Sequence, residues 1–170
     1  MFFCMDSYMK KLYAPWRSAY TQRIHAKTGD KGCIFCTIIA SNNDVQEFVL
    51  KRNKHTVTML NKYPYNPGHI LIVPHAHVAT LKELQPEARV ELIEQAGHAA
   101  AVLETALQAE GCNIGINLGK AAGAGIPEHL HVHVLPRFWG DTNFLPTLAD
   151  TKQISIDLAE IYKMLLPEFQ

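Results

Sequence analysis

The stretch "HLHVHVLPR", residues 129–137, alternates histidine with apolar residues over its first six positions. Successive side chains of a β-strand point to opposite faces, so the pattern predicts a strand that carries His129, His131 and His133 on one face. The other face would present three apolar side chains: Leu130, Val132 and Val134. Adjacent imidazoles would stand about 6.5–7 Å apart, twice the rise per residue, which is too far for a hydrogen bond between them. We therefore expect one face to serve burial and the other chemistry, with a separate partner for each ring.

The segments before this strand predict a mostly antiparallel sheet. The stretches "EFVLKRN" and "HTVTML" (47–53 and 55–60) alternate like the two strands of a hairpin, and "HILIVP" (69–74) is typical of a buried strand. A further strand is predicted at "CNIGINLG" (112–119). It would be joined to the histidine strand by a loop rich in glycine and alanine.

Two helices complete the predicted fold. Residues 84–110 carry Pro86 near the start, apolar side chains at helical spacing, and Gly111 directly after the end. The apolar positions are Val90, Leu92, Ile93, Ala96, Ala100, Val102, Leu103 and Leu107. The stretch "ISIDLAEIYKMLL" (154–166) predicts a C-terminal helix. The fold class is therefore predicted to be α+β, a mostly antiparallel sheet with one long helix and a C-terminal helix.

The composition limits the partners of the chain. Its 170 residues include 16 lysines and arginines and 16 aspartates and glutamates, so no global field would attract nucleic acid or an anionic membrane. No apolar run approaches the ~20 residues of a membrane span, and the N-terminus lacks the features of a signal peptide. We expect a cytoplasmic protein with one main domain and with neither a nucleic-acid nor a membrane partner, in which a local site holds any phosphate.

The loop "GKAAGAG" before the histidine strand is a candidate phosphate site. Small residues let backbone N–H groups approach an anion closely, so Gly123 and Gly125 are predicted to contact phosphate. A neutral imidazole beside such a loop can attack phosphorus or transfer a proton near neutral pH. Because the chain is neutral overall, Arg137 or Lys120 would have to match the phosphate charge. For Arg137 the alternative is a surface ion pair with Asp141.

Cys33 and Cys36 form a CxxC pair, which suits two thiolate ligands of a metal such as zinc. Tetrahedral zinc would need two further ligands. A redox pair is the alternative, but it favours a βαβ context and an exposed cysteine that opens a helix, which this N-terminal region does not supply. The pair therefore favours a metal site.

The histidine strand resembles the signature of the histidine triad (HIT) family, His-φ-His-φ-His-φ-φ, in which φ is apolar. The stretches "NKYPYNPGHILIVPHAHV" and "GINLGKAAGAG" lie where that family has its other two sequence blocks. The resemblance covers about residues 33–146 and implies a HIT-like fold. Within the family, "GDTNF" and "KKLYAPWR" resemble the fragile-histidine-triad branch, most closely its diadenosine tetraphosphate phosphorylases. The implied division is an N-terminal extension (1–32), a HIT domain (33–146) and a C-terminal helical segment (147–170).

The resemblance implies roles for individual residues. His131 matches the nucleophile, which attacks the α-phosphorus of a nucleotide and forms a covalent nucleotidyl-imidazole. His133 matches a residue that binds the phosphate and handles a proton. Asn61 matches the position that contacts the ribose, and Asn117 matches an amide that holds the phosphate or the scissile oxygen. The implied substrate is a dinucleoside polyphosphate such as diadenosine tetraphosphate, with inorganic phosphate as the acceptor, giving ATP and ADP.

The resemblance also implies a metal site and an assembly. Members of the HIT family and the related galactose-1-phosphate uridylyltransferases bind zinc through such a cysteine pair, a histidine after the "IVP" strand and the first triad histidine. The matching residues are Cys33, Cys36, His77 and His129, with His55 and His75 as alternatives for the third ligand. The zinc would be structural, because four protein ligands leave no position open for water. No organic cofactor is implied, and a homodimer through the long helix and a sheet edge is expected.

One departure and three alternatives stand beside this interpretation. Relatives often carry a polar Ser, Thr or Gln just before the triad, whereas this chain has "GIPE", so backbone amides, His133 or Glu128 would have to stabilise the leaving group. The first alternative is a hydrolase of diadenosine polyphosphates or adenylate conjugates that releases AMP. The second is a metal-dependent hydrolase with HxH as catalytic ligands, although those need a longer chain and an early HxH. The third, a nucleotide-binding module without catalysis, is disfavoured by the intact His131.

Overall fold

The structure, a computed structural model, describes residues 32–141, 144–149 and 152–170. The chain divides into two compact units, a larger one of residues 31–141 and 154–170 and a smaller one of residues 1–30 and 142–153. The predicted N-terminal extension lies, apart from Gly32, outside the described residues. The predicted domain boundaries stay predictions. The helices are α1 (Ile34–Ala40), α2 (Asp44–Glu47), α3 (Pro86–Ala106), α4 (Phe144–Ala149) and α5 (Leu158–Leu165), and α4 belongs to the smaller unit.

The larger unit contains a five-stranded sheet whose paired strands are all antiparallel, in the order β1-β2-β3-β5-β4. The strands are β1 (Val49–Arg52), β2 (Thr56–Leu60), β3 (Ile70–Pro74), β4 (Gly111–Ile116) and β5 (Val132–Arg137). The predicted hairpin and the buried strand after it are confirmed as β1, β2 and β3. The histidine strand β5 lies between β3 and β4, since Val132 pairs with both Ile72 and Ile116. This order makes β4 an edge strand and places β5 inside the sheet.

The long helix α3 is confirmed, with shorter bounds than the predicted residues 84–110. It begins at Pro86, whose missing N–H suits a first turn, and the chain leaves helical geometry before Gln108, which has a positive φ of 56°. Leu92 and Leu103 are fully buried against the sheet, and truncating either to alanine would cost about 2–5 kcal/mol. Val90 and Ile93 belong to the predicted apolar pattern but are exposed, because they lie on the opposite side of the helix.

The sheet has a core on each face. On the α3 side, Leu130, Val132 and Val134 are buried together with α5, which confirms the predicted apolar face of the histidine strand. On the other side, helix α1 contributes Phe35 and Ile38 to a second cluster, whose sheet residues are Val49, Val57, Met59, Leu71 and Val73. None of the helices in the described ranges has the length and apolarity needed to cross a membrane.

Arg52 of β1 fixes helix α1 on the sheet. Its guanidinium donates to the carbonyl oxygens of Ile39 at 2.8 Å and Ser41 at 2.7 Å, which are groups that the helix end leaves without intrahelical partners. It also donates to Asp44 at 3.0 and 2.7 Å. The cysteine-bearing helix is therefore tied to the sheet edge at its C-terminal end.

Candidate active site and metal cluster

The three histidines lie on the sheet face that α1 covers. Phe35 packs its ring 5.4 Å from the His129 ring and 5.1 Å from the His131 ring, between centroids. His129 is fully buried and His131 is 7% exposed, so the expectation that only the apolar face is buried is wrong. The His131 and His133 rings meet edge to face at 5.0 Å, closer than predicted, because strand rise fixes the backbone spacing and not the ring positions. As predicted, each of the three rings has its own hydrogen-bond partner.

The hydrogen bond of His131 sets its tautomer. Its Nδ1 lies 2.8 Å from the carbonyl oxygen of His129, and a carbonyl oxygen can only accept, so Nδ1 carries the proton. The lone pair of the neutral ring is therefore on Nε2. Burial lowers the pKa of His131, against the smaller opposing effect of its hydrogen bond to the His129 carbonyl. The ring is thus held neutral near pH 7, the form in which an imidazole nitrogen can act as a nucleophile.

His133 takes the opposite tautomer, through a histidine that our sequence interpretation gave no role. His69 Nε2 lies 2.9 Å from His133 Nδ1. His69 Nδ1 accepts from the Tyr65 N–H at 3.2 Å and lies 3.3 Å from the amide nitrogen of Asn61. Since Nδ1 of His69 is an acceptor, its proton is on Nε2 and is donated to His133 Nδ1. His133 therefore carries its own proton on Nε2, a buried atom with no hydrogen-bond partner among the residues that the structure describes.

Both rings of this pair are held neutral by their surroundings. Burial, followed by the charges of His133 and His131, lowers the pKa of His69 to about 3. Burial, followed by the charge of His131, lowers the pKa of His133 to about 4. The sequence did indicate that His69 belongs to the site, because it is the histidine of "PGH" in the family block "NKYPYNPGHILIVPHAHV". Its contact with His133 requires the pairing of β3 with β5, which local patterns do not reveal.

The loop between β2 and β3 carries Asn61 and Tyr65 to this site. The side-chain oxygen of Asn61 accepts from the Tyr63 N–H at 2.9 Å, which turns its amide nitrogen toward His69. The structure thus gives Asn61 a role in orienting His69, and its predicted contact with a ribose stays a prediction. Gly68 has a φ of 83°, and a Cβ there would lie 2.5 Å from a methyl carbon of Leu107. Glycine at this position lets the loop pass closely over the end of α3.

Asn117 and the glycine-rich loop lie beside His131. Ile116 pairs with Val132, so the next opposed positions are Asn117 and His131, on the same face. The Asn117 side-chain nitrogen is 3.9 Å from the position of a Cβ on Gly123. The Gly123 N–H donates to the Lys120 carbonyl at 3.0 Å, and the predicted contact of Gly123 with phosphate stays a prediction.

Other groups of the loop are better placed to meet an anion. In the described part of the chain no hydrogen bond uses the Gly125 N–H, so its predicted contact with phosphate stays a prediction. Lys120 is exposed and makes no ion pair with any residue of the described ranges. It is a cation that belongs to the loop itself.

Arg137 is not brought to the histidines. Its guanidinium donates to Asp141 at 2.7 and 3.2 Å and to the side chain of Asn113 at 2.9 Å. It lies four residues beyond His133, about 13 Å along the strand. The hydrogen bond and the charge of Asp141 raise the pKa of the guanidinium. The ion pair with Asp141 is therefore the arrangement that the structure contains, and it gives no support to the predicted contact of Arg137 with phosphate.

Cys33, Cys36, His77 and His129 bring four potential metal ligands together, with all four ligand atoms within 4.8 Å of one another. Sγ of Cys33 is 3.2 Å from Nδ1 of His129, and Sγ of Cys36 is 3.2 Å from Nδ1 of His77. Ligands of a tetrahedral zinc would stand about 3.6 Å apart for a sulfur and a nitrogen, from bond lengths of about 2.3 and 2.0–2.1 Å. The alternatives His55 and His75 are not part of this cluster among the described residues.

The surroundings of the cluster also suit a metal cation. His129 Nε2 donates to the Pro74 carbonyl at 2.9 Å, which leaves the lone pair of Nδ1 facing the two sulfurs. When no metal is bound, burial acts to raise the pKa of Cys33, but a hydrogen bond from protonated His129 and the amides of Cys36 and Phe35 lower it to about 6. Burial acts to lower the pKa of His129, but the same contact with Cys33 raises it overall, so Nδ1 has a proton to lose when a metal binds. Burial and the neighbouring Cys33 raise the pKa of Cys36. A divalent cation would favour both thiolates, since metal binding releases their protons.

The chain is similar in sequence to a known domain family and to known proteins. The family profile of the HIT domain matches residues 42–140. An AP-4-A phosphorylase of Mycobacterium tuberculosis is 33% identical over 165 residues, which span 95% of this chain and 85% of the relative. A bis(5'-nucleosyl)-tetraphosphatase [asymmetrical] of Schizosaccharomyces pombe is 37% identical over 89 residues, spanning 52% of this chain and 48% of the relative.

A solved structure shows the same fold. The crystal structure of a Zn-bound histidine triad family protein from Mycobacterium smegmatis superimposes with a TM-score of 0.67 and 27% identity, over 81% of this chain and 93% of that one. The family profile, the relative from M. tuberculosis and the histidine-bearing central strand agree with one another. The chain therefore belongs to the histidine triad family.

Proposed function

We propose that this protein cleaves dinucleoside polyphosphates such as diadenosine tetraphosphate, with His131 as the nucleophile. The observation that carries the proposal is the opposite tautomerism of two adjacent rings. His131 offers a lone pair on Nε2, and His133 offers a buried proton on Nε2 that lacks a partner among the described residues. A phosphoryl group held across the two rings would meet a nucleophile and a hydrogen-bond donor together. The AP-4-A phosphorylase and the tetraphosphatase among the relatives support this substrate class.

The proposed reaction has two displacements at the same phosphorus. In the first, Nε2 of His131 forms a bond to the α-phosphorus as the bond to the bridging oxygen breaks, and ATP leaves while AMP stays on the ring. His133 donates its hydrogen bond to the departing or non-bridging oxygen. In the second, an acceptor oxygen attacks the same phosphorus and the bond to Nε2 breaks. Phosphate as acceptor gives ADP, and water gives AMP.

Phosphate is the acceptor that we propose, on the resemblance to the phosphorylases and the 33% identity with one of them. Lys120 and the amides of the glycine-rich loop are the groups that would match its charge. The test is a product analysis of diadenosine tetraphosphate turnover at increasing phosphate concentration. Turnover that rises steeply with phosphate and yields ADP with ATP is expected. AMP with ATP at a rate indifferent to phosphate would identify a hydrolase, the activity named for the relative from S. pombe.

The proposed metal is zinc, bound by Cys33, Cys36, His77 and His129. A Zn-bound relative with 27% identity and the close approach of the four ligand atoms support this assignment. Bound there, zinc supplies a structural cross-link between α1 and the segment that leads into β5. Four protein ligands leave no open position for a substrate or water, which argues against the alternative in which the HxH pair holds a catalytic metal. A metal analysis of the purified protein, expected to give one zinc per chain, tests the assignment.

A homodimer is proposed through α3 and β4. Val90 and Ile93 of α3 are 62% and 58% exposed, and Ile114 of the edge strand β4 is 49% exposed. An edge strand leaves backbone groups ready to pair with another chain, and exposed apolar side chains suit the centre of an interface. Light scattering coupled to size-exclusion chromatography measures the mass in solution. A monomer at micromolar concentration would refute the proposal.

A further inference from the structure

Asp141 lies outside the site described above, yet its buried carboxylate connects to it. Only 8% of its side chain is exposed. Its Oδ2 atom accepts from Asn66 at 2.9 Å and from Arg137 Nε at 2.7 Å. The stretch "GDTNF" to which it belongs has no role in the mechanism proposed above. The contact with Asn66 links Asp141 to the loop between β2 and β3.

Asn66 attaches this loop to Pro136 and Asp141 through hydrogen bonds of its side chain. Its side chain is buried, and its amide nitrogen donates both to Asp141 and to the Pro136 carbonyl at 2.8 Å. Both partners are acceptors, so the amide has one favourable orientation. The backbone carbonyl oxygen of Asn66 accepts from the His69 N–H at 3.2 Å. A shift of Asn66 would therefore move both the backbone of His69 and the nearby Tyr65.

We propose that Asp141 is a positioning residue for the proton on His133. By accepting the Asn66 amide, it fixes the loop whose Tyr65 N–H holds Nδ1 of His69 as an acceptor, so that Nε2 of His69 keeps its proton directed at His133. The ion pair with Arg137 holds the carboxylate in place for this contact. The inference rests on the proposed function, because Asp141 would act through His133, the hydrogen-bond donor of that same site.

The test separates proton donation from the rest of catalysis by means of the leaving group. An adenosine 5'-phosphoramidate expels an amine, which must gain a proton as it leaves. The p-nitrophenyl ester of AMP expels a phenolate that needs none. In Asp141→Asn and Asp141→Ala we expect kcat/KM for the amidate to fall about tenfold or more, and that for the ester to change less than about twofold. Asp44→Asn is the matched control, since it removes another Asp–Arg pair, which is separate from the contact between Asn66 and Asp141.

A second variant and one spectroscopic measurement keep the test decisive. Asn66→Asp is isosteric and sets a carboxylate against two acceptors, so it should reproduce the selective loss. In the wild-type protein, imidazole ¹H–¹⁵N spectra should show the proton of His133 on Nε2. A proton on Nδ1 would overturn the inference, as would an equal fall with both substrates or no fall with either. If the wild type does not cleave diadenosine tetraphosphate, the proposed function fails, whereas equal losses in the variants alone refute only the role of Asp141.

Discussion

Replacing His69 tests the geometry of the site most directly, because this residue is expected to touch no substrate. His69→Leu removes Nε2 of His69, the donor of the 2.9 Å hydrogen bond to Nδ1 of His133. The Nδ1 atom then has lost its donor. Losing one partner of a buried hydrogen bond costs about 1–3 kcal/mol. If that cost falls on the transition state, it corresponds to roughly a 5- to 150-fold loss in kcat/KM, at about 1.4 kcal/mol per tenfold.

The matched variant is His69→Gln. The side-chain nitrogen of glutamine can take the place of Nε2 of the ring and donate to His133, so we expect kcat/KM within about threefold of the wild type. Initial rates with diadenosine tetraphosphate at saturating phosphate provide the measurement, and thermal unfolding provides the control for folding. A leucine variant with more than about half of the wild-type rate, or a glutamine variant as slow as leucine, would refute the tautomer argument.

The same substitution should change the response of the fold to acid. The pKa of His69 is about 3 in the folded protein against an ordinary value of 6.5, so the unfolded state binds the extra proton between these values. The stability linked to this group is complete above pH 6.5 and is lost as the pH falls toward about 3. At pH 4.5 the loss is on the order of 2–3 kcal/mol. Urea unfolding at pH 7 and 4.5 should therefore show a smaller decrease for His69→Leu than for the wild type, and equal decreases would contradict the buried neutral ring.

Four further outcomes are expected. His131→Gly should abolish turnover while nucleotide binding and the melting temperature persist, and retention of more than about one per cent of activity would exclude it as the nucleophile. Cys33→Ser should lose bound zinc and about 10 °C of melting temperature, at about 2–4 °C per kcal/mol, whereas Cys112→Ser, outside the cluster, should keep its zinc. Lys120→Met should lower kcat/KM for diadenosine tetraphosphate several-fold at low salt and much less at high salt, where screening weakens an exposed charge; a salt-independent effect would argue against a charge interaction. Ile93→Lys should convert the proposed dimer to a monomer in light scattering, and an unchanged mass would place the interface elsewhere.

The sequence was sufficient for the elements that depend on local periodicity. Alternation of period two identified the histidine strand, and the helical spacing identified α3, because both patterns follow from backbone geometry within one segment. Helical spacing alone did not show that Val90 and Ile93 face away from the core. The cysteine pair together with the family resemblance indicated the four residues that the fold brings together around His129.

The contact between His69 and His133, which the sequence did not provide, depends on the order of the strands. Only the insertion of β5 between β3 and β4 brings His69 to His133, 64 residues later in the chain. The sequence also left the partner of Arg137 undecided, since a phosphate and the Asp141 carboxylate can both form paired hydrogen bonds with a guanidinium. The Gly123 N–H donates within the short turn at Lys120–Ala122, a hydrogen bond that a run of small residues does not reveal by itself.

A strand of alternating histidines would by itself make three equivalent rings, and the chemistry requires that they differ. The fold distinguishes them through the second nitrogen of each ring. His129 donates from Nε2 to a carbonyl and keeps Nδ1 for the proposed metal site. His131 donates from Nδ1 to a carbonyl and keeps a lone pair on Nε2, and His133 accepts at Nδ1 and keeps a proton on Nε2. Burial holds His131 and His133 below their ordinary pKa, so neither tautomer is lost to double protonation near pH 7. The proposed nucleophile and the proposed donor are therefore ready before the substrate binds, and no proton has to pass between the two rings for the first displacement to occur.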